Sequence, residues 1–249
     1  MNPLFNLHYF QVEIPPNAAP RTVRVLLPAD YGMSERRYPV IYGLDGQNLY
    51  EPETAFGGMH WKIPETMAKL PKRLQAIVVG IDNGGADRMR EYAPYRRGRQ
   101  GGGGLDHINF IINELKPQVD KSYRTKPAPE FTGIFGSSMG GLLALWAGLR
   151  FGEVFIRVGV LSPSLWFNPQ VFQLAEDDVG KKSKYYIAGS RTESARMESG
   201  LQKLYWSLRK GGFTDDHCRV VVRERGRHNE VFWGQEFPKM HRWLFGQSV

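Results

Sequence analysis

The sequence predicts an α/β protein in which helices cover both faces of a mostly parallel sheet. Short apolar runs alternate with longer amphipathic runs along the 249 residues. Most of the short runs are apolar throughout, which is typical of strands buried on both faces of a parallel sheet. No repeat and no long polar linker divides the chain, so we expect one doubly wound domain over residues 1–249.

The first two predicted strands differ from the rest. The segments LHYFQVEI, from Leu7, and TVRVLLP, from Thr22, alternate apolar and polar residues. Alternation indicates one buried face and one solvated face, and a short connection favours antiparallel pairing. These segments therefore predict an antiparallel strand pair at the beginning of the sheet.

The remaining strands are predicted from runs bounded by turn residues. The apolar ones are YPVIYGLD from Tyr38, LQAIVVGID from Leu74, EFTGIFG from Glu130, VFIRVGVLS from Val154 and KYYIAGS from Lys184. A final run, HCRVVVRER from His217, alternates more strongly. Their order along the chain, with helical patterns between them, is that of a doubly wound fold.

The helices are predicted from apolar residues that recur with helical spacing. They are HWKIPETMAKL from His60, GLDHINFIINELKPQVD from Gly104, SMGGLLALWAGLRF from Ser138, SARMESGLQKLYWSLRKGG from Ser194 and EVFWGQEFPKMHRWLF from Glu230. Proline lacks the N–H that a helix interior uses. We therefore expect the second helix to stop near Pro117 and the last to break at Pro238.

The net charge of +8 does not by itself indicate a nucleic-acid partner. Lysine and arginine are spread along the chain, and the densest groups lie in no recognisable nucleic-acid motif. These groups are Arg96, Arg97 and Arg99, and Arg219, Arg223, Arg225 and Arg227. No apolar run approaches the roughly 18 residues of a membrane helix. We expect neither a nucleic-acid nor a membrane partner.

The cysteine content bounds both metal binding and cellular location. Cys218 is the only cysteine, which excludes an internal disulfide and any multi-cysteine metal site. The first residues lack the basic start and apolar run of a secretory signal. We therefore expect a cytoplasmic protein.

A glycine-rich turn carries the first candidate catalytic residue. The run from Gly136 to Gly140 fits G-x-S-x-G with Ser138 at its centre, between an apolar strand and an apolar helix. That setting is the one a nucleophile elbow requires, because a sharp turn must present the serine above the sheet. The alternative is a turn that only lets a helix pack closely on the sheet. Ser137 fits that role better.

A histidine and a carboxylate are needed to activate a serine, in the chain order serine, acid, histidine. Three histidines follow Ser138, and His228 is the one that lies between the last strand and the last helix. Glu193, just after KYYIAGS, is the first choice for the acid. Glu198 lies on the following helix and Asp215 too near the last strand. The alternative for Glu193 is a carboxylate that only favours a helix N-terminus. A dyad without an acid stays open.

Two amides are expected to hold the oxyanion. One is the N–H of Met139, directly after the nucleophile, and the other is the N–H of Gln47 in the loop YGLDGQNLY. Gly46 permits close backbone approach there. As an alternative, Asp45-Gly46 is simply a favoured turn dipeptide.

Several ordered motifs resemble the putative-esterase family of α/β-hydrolases, the group that contains esterase D and the enterochelin esterases. The similar segments are YPVIYGLDGQNLY, IDNGGADRMREYAP, GSSMGGLLALWAG, LSPSLWF and GRHNEVFW, which together span nearly the whole chain. The resemblance implies an α/β-hydrolase fold without a large cap domain and without a metal or organic cofactor. It supports Ser138, His228, Met139 and Gln47 in the roles above, and Glu193 less strongly.

The sequence therefore predicts a serine esterase that acts through an acyl-enzyme on small-molecule esters, aromatic or siderophore-type esters among them. Alternatives are an acyltransferase with the same acyl-enzyme, a feruloyl or acetyl esterase for carbohydrate-linked esters, and a non-catalytic binding module. The candidate substrate contacts are Trp61, Trp166, Trp233, Arg225 and Arg227, with Tyr95 and Phe167 beside them. Arg88 and Glu91 are expected to form an ion pair behind the site.

Overall fold

The computed structural model describes residues 6–15, 19–177 and 183–246. The strands are β1 (Leu7–Ile14), β2 (Ala19–Leu26), β3 (Val40–Leu44), β4 (Ile77–Ile81), β5 (Arg96–Arg97), β6 (Gln100–Gly101), β7 (Thr132–Ser137), β8 (Arg157–Leu161), β9 (Lys184–Ser190) and β10 (Cys218–Arg223). The helices are α1 (Ile63–Ala68), α2 (Arg88–Glu91), α3 (Gly104–Phe110), α4 (Lys116–Ser122), α5 (Met139–Arg150), α6 (Gln170–Glu176), α7 (Met197–Lys210) and α8 (Glu230–Phe245).

The strands form an eight-stranded sheet in the order β1-β2-β4-β3-β7-β8-β9-β10, and β5 and β6 form a small separate hairpin. β2 pairs antiparallel with both β1 and β4, and every later pair in the large sheet is parallel. The prediction of a mostly parallel sheet with an antiparallel N-terminal pair is confirmed. Parallel order places the carboxyl ends of β3, β7, β9 and β10 at one edge.

Each face of the sheet is covered by its own set of helices, because side chains alternate between faces along each strand. Tyr42 and Val79 pack with the apolar residues of α3, α5 and α7 in one core cluster. Their neighbours Ile41 and Val78 pack with α1 and α8 in the other. The fully apolar strands predicted from the sequence are therefore buried on both sides.

The two predicted helix breaks at proline are wrong. A wide π-type turn over Ile111–Leu115 precedes α4, and the Lys116 N–H bonds back to the carbonyl of Ile111. The helix therefore runs on through Pro117. α8 is also continuous across Pro238, where Phe237, Met240 and Leu244 are fully buried against the sheet. Burying these side chains offsets the cost of about 3 kcal/mol for an interior proline.

Within the described ranges, no helix combines the length and the apolarity that crossing a bilayer requires.

Two buried histidines should make the fold sensitive to acid. Burial lowers the pKa of both His107 and His241 to about 4, whereas an unfolded chain protonates histidine near 6.5. The unfolded state therefore binds more protons below pH 6.5, so stability present above that pH is lost as pH falls toward 4. Each histidine contributes a slope of about 1.4 kcal/mol per pH unit over that window.

The variant His107→Leu should remove one of these slopes. Neither ring nitrogen of His107 has a hydrogen-bond partner among the described residues, so the substitution removes no hydrogen bond seen there. The polar contact that it does remove is the one between Nδ1 and Glu91 Oε2, at 4.0 Å. Urea unfolding between pH 6.5 and 4.5 measures the slope, and the same measurement at pH 8 isolates any change in packing. Equal pH slopes for the two proteins would contradict the prediction.

Candidate active site

Ser138 lies at the sharp turn between β7 and α5, with φ 56° and ψ −120°. A positive φ is strained for a side-chain-bearing residue and is maintained by its surroundings. The Ser138 N–H donates to the Leu161 carbonyl at 2.9 Å, and its own carbonyl accepts from the Ser164 N–H at 3.0 Å. A Cβ on Gly136 would lie 2.6 Å from the backbone of Gly140, so this turn needs glycine there.

The serine, a histidine and a carboxylate form one continuous hydrogen-bonded chain. The Oγ of Ser138 lies 2.9 Å from Nε2 of His228. Nδ1 of His228 lies 2.8 Å from Oε2 of Glu193. This arrangement fits the tautomer in which Nδ1–H donates to the carboxylate and Nε2 accepts from the serine hydroxyl. The three residues follow β7, β9 and β10, whose carboxyl ends meet at one edge of the sheet.

The carboxylate of Glu193 is held by its own loop. Its side chain is fully buried, and its second oxygen, Oε1, accepts the Ser190 N–H at 2.7 Å. By contrast, Glu198 pairs with Arg191, and Asp215 contacts Tyr205 and Arg209 on the surface. Of the acids considered from the sequence, Glu193 is the one that the fold brings to His228.

Trp233 packs against the imidazole of His228. The two rings meet edge to face, with their centroids 5.0 Å apart, and the indole N–H of Trp233 donates to Ser162 Oγ at 2.8 Å. Trp61 is 1% exposed and packs between Phe135 and Trp233. The structure therefore places both tryptophans in the core beneath the site, and neither lines the cavity beside the nucleophile.

The loop after β3 contains Gln47, whose N–H is the second predicted oxyanion amide. Gln47 lies in a short 3-10 helix over Gly46–Asn48, and Met139 is the first residue of α5. The first amides of a helix have no acceptor within the helix, so they are available to an anion. A Cβ on Gly46 would lie 2.6 Å from the backbone of Gly80 and Ile81, which explains glycine at this position.

Asp45 fixes this loop through a network that the sequence did not predict. Its carboxylate accepts two hydrogen bonds from Arg88, at 2.7 and 2.8 Å, and one from Asn83 at 2.6 Å. Burial by itself lowers the pKa of Arg88. The hydrogen bonds to Asp45 and its negative charge outweigh that effect, so the pKa of Arg88 is raised. The expected Arg88–Glu91 ion pair is wrong, because Glu91 bonds to Arg21 at 2.7 Å instead.

A second unpredicted contact joins the oxyanion loop to the histidine loop. The side-chain amide of Asn48 donates to Glu230 at 3.2 Å, and both residues are buried. Burial raises the pKa of Glu230, and the charge of Asp45 adds to this rise. From the sequence, Glu230 is an ordinary carboxylate at a helix start, and only the assembled fold reveals its partner.

Comparison with known proteins identifies the family of the chain. The sequence matches the family described as "Putative esterase" over residues 18–244. The chain belongs to this esterase family. The prediction of an esterase is thereby confirmed.

One curated protein and two solved structures are similar to this chain at low sequence identity. The uncharacterized Bacillus subtilis protein YbbA is 22% identical, with 93% of this chain and 95% of that protein aligned. The enterobactin esterase FES from Shigella flexneri, crystallised in the presence of enterobactin, has a TM-score of 0.78 at 20% identity, covering 99% of this chain and 60% of that one. The siderophore hydrolase EstA from Aspergillus nidulans has a TM-score of 0.77 at 18% identity, covering 98% and 96%. The two solved structures establish the shared fold.

In this esterase, a cavity of about 650 Å³ opens beside Ser138 and His228. Of the predicted substrate contacts, Trp166 lines it and is 53% exposed. Arg225 and Arg227 are exposed but lie outside the lining.

Two further aromatic residues expected near the site do not line the cavity either. Phe167 is buried, and the Tyr95 hydroxyl accepts from the indole of Trp146 at 3.1 Å. Phe167 packs edge to face on Trp166, and the Tyr95 N–H donates to Asn168 Oδ1 at 3.1 Å.

Proposed function

We propose that the chain is a serine carboxylic-ester hydrolase in which Ser138 is the nucleophile, His228 the base and Glu193 the acid. The observation that carries the proposal is the hydrogen-bonded chain from Ser138 Oγ through both ring nitrogens of His228 to Glu193. The strained turn at Ser138 supports it, because such turns recur where a nucleophile is presented. The substrates are small-molecule esters, as for the siderophore esterases that share this fold.

The first half-reaction forms an acyl-enzyme. His228 Nε2 takes the hydroxyl proton as Ser138 Oγ bonds to the ester carbonyl carbon, and the carbonyl oxygen becomes an oxyanion. Glu193 stabilises the imidazolium that results. When the C–O bond to the alcohol breaks, His228 returns the proton to the leaving alkoxide, and the alcohol departs.

The second half-reaction releases the acid. Water attacks the acyl carbon while His228 again takes a proton, and Ser138 leaves with that proton restored. In both halves the N–H groups of Met139 and Gln47 donate to the oxyanion, aided by the positive end of α5. These steps involve side chains, backbone amides and water alone.

Covalent labelling tests the proposal. A fluorophosphonate probe should attach to Ser138 with loss of fluoride, and peptide mass spectrometry should locate the adduct there. Labelling should fall strongly in His228→Ala, because the serine then has no base. An unlabelled native protein, or an adduct on Ser164 beside the nucleophile, would contradict the assignment.

A further inference from the structure

Two cations line the cavity beside Ser138, and within the described residues neither pairs with a carboxylate. We propose that the cavity binds esters carrying an anionic group, and that Arg196 and Lys203 pair with that group. The inference rests on the proposed serine-esterase function and names the substrate class of the same site.

The charged side chains of the cavity lining are the first support for an anionic substrate. Its carboxylate is that of Glu193, whose two oxygens are already bonded to Ser190 and His228. Arg196 and Lys203 line the same cavity, and within the described parts of the chain neither forms an ion pair with a carboxylate. The cavity therefore offers positive charge that no acidic side chain there neutralises.

Other cations of the same region do form ion pairs with carboxylates. Arg191 pairs with Glu198 and Glu224, and Lys210 on α7 pairs with Glu176. Two cations left unpaired among such neighbours, both on the cavity side, are what an anionic ligand would need.

Lys203 is an exposed residue of α7, and its ammonium lies over an aromatic ring of the cavity wall. Its Nζ lies 4.3 Å from the centre of the Phe172 ring, which also lines the cavity. This cation–π contact positions the ammonium beside the apolar wall of the cavity. The first turn of α7, including Met197 and Gly200, also lines the cavity and directs its N-terminal partial charge there.

The rest of the wall suits an apolar body between the ester and the anion. Leu165, Trp166, Phe172 and Met197 contribute aliphatic and aromatic surface. Arg97 of the β5–β6 hairpin lies over Trp166, 5.3 Å from the ring centre, and adds a further cation at the rim. An ester with an aliphatic or aromatic spacer and a terminal carboxylate or phenolate fits this order of groups.

Two matched pairs of substrates test the inference. One pair places the anionic group on the acyl portion of the ester, and the other places it on the alcohol portion. On the acyl side, p-nitrophenyl hemiglutarate is compared with p-nitrophenyl valerate, which has a similar length without the charge. On the alcohol side, 4-acetoxybenzoate is compared with its methyl ester. We expect the anionic member of at least one pair to have the higher kcat/KM, with a preference that declines as NaCl is raised.

Variants then connect that preference to the two cations. Lys203→Gln and Arg196→Gln should each lower kcat/KM for the preferred anionic ester about tenfold. The kcat/KM for the neutral ester of the same pair should change less than twofold. Lys210→Gln is the control, because it removes the same charge from the same helix outside the cavity lining. A drop that Lys210→Gln reproduces would overturn the inference.

Gly200 gives a second test that does not remove a cation. A Cβ there would contact Leu165 alone, at 3.5 Å, so the position accepts a side chain. Gly200→Glu and Gly200→Gln add side chains of equal size, and the glutamate alone can neutralise Lys203. We expect Gly200→Glu to lose the anionic preference and Gly200→Gln to keep it.

The outcomes separate the inference from the function on which it rests. Hydrolysis of the neutral esters that depends on Ser138, without any anionic preference in either pair, would overturn the inference and leave the esterase assignment intact. Hydrolysis that survives Ser138→Ala would overturn both. Anionic preference lost in Lys203→Gln, Arg196→Gln and Gly200→Glu would establish the site.

Discussion

Ser138→Ala should lower kcat for p-nitrophenyl butyrate by a factor on the order of 10⁴ to 10⁶. The substitution removes the proposed nucleophilic oxygen, while the proposed oxyanion amides and the cavity remain. The loss should therefore appear in kcat far more than in KM. Initial-rate kinetics, with thermal unfolding to verify the fold, measure both.

The neighbouring serine provides a matched control. Ser137 is the last residue of β7 and is buried, and it takes no part in the hydrogen-bonded chain to His228. Ser137→Ala deletes the same hydroxyl one residue away, so kcat should stay within a few-fold of the native value. A larger loss of kcat in Ser137→Ala than in Ser138→Ala would show that Ser138 is not the nucleophile.

The parts of the fold that are encoded locally could be predicted from the sequence. β9 spans Lys184–Ser190, the bounds of the predicted run KYYIAGS, because turn residues flank a continuous apolar stretch. The sharp turn at Ser138 could be predicted for the same reason. Strand, glycine-rich turn and apolar helix are contiguous there, so the signal does not depend on distant contacts.

The contacts between distant segments could not be predicted. The partner of Arg88 is Asp45 rather than Glu91, since the packing of the β3 loop, and not spacing along α2, decides which carboxylate it meets. Asn48 and Glu230 likewise meet only when two loops fold against each other. The same limit applies to Trp61 and Trp233, because an aromatic residue near a site can lie under it or line it.

Arg196 and Lys203 were missed for a related reason. Both lie in a segment that has the amphipathic pattern of a surface helix, where lysine and arginine are ordinary solvated residues. Only the position of α7 beside Ser138 and Phe172 makes these charges part of a cavity. The expectations of one domain over residues 1–249, a cytoplasmic location and no nucleic-acid partner stay predictions.

Glu193→Gln should lower kcat by roughly 10³ to 10⁴, although the side chain keeps its size. The Ser190 N–H donates to Oε1 of Glu193, so the carbonyl oxygen of a glutamine must take that position. Its NH₂ group then faces His228 and donates to Nδ1. A neutral imidazole that accepts at Nδ1 carries its proton on Nε2, and Nε2 can no longer accept the proton of Ser138.

Glutamine at position 193 should lower kcat at least as much as alanine, because alanine leaves the tautomer of His228 free. Glu198→Gln is the control, since that carboxylate pairs with Arg191 and not with His228. Steady-state kinetics of the three variants on p-nitrophenyl butyrate decide the matter. If Glu193→Gln kept kcat within tenfold of the native value, the site would be a Ser138–His228 dyad. The buried Glu193–Ser190 bond would then serve only to order the loop.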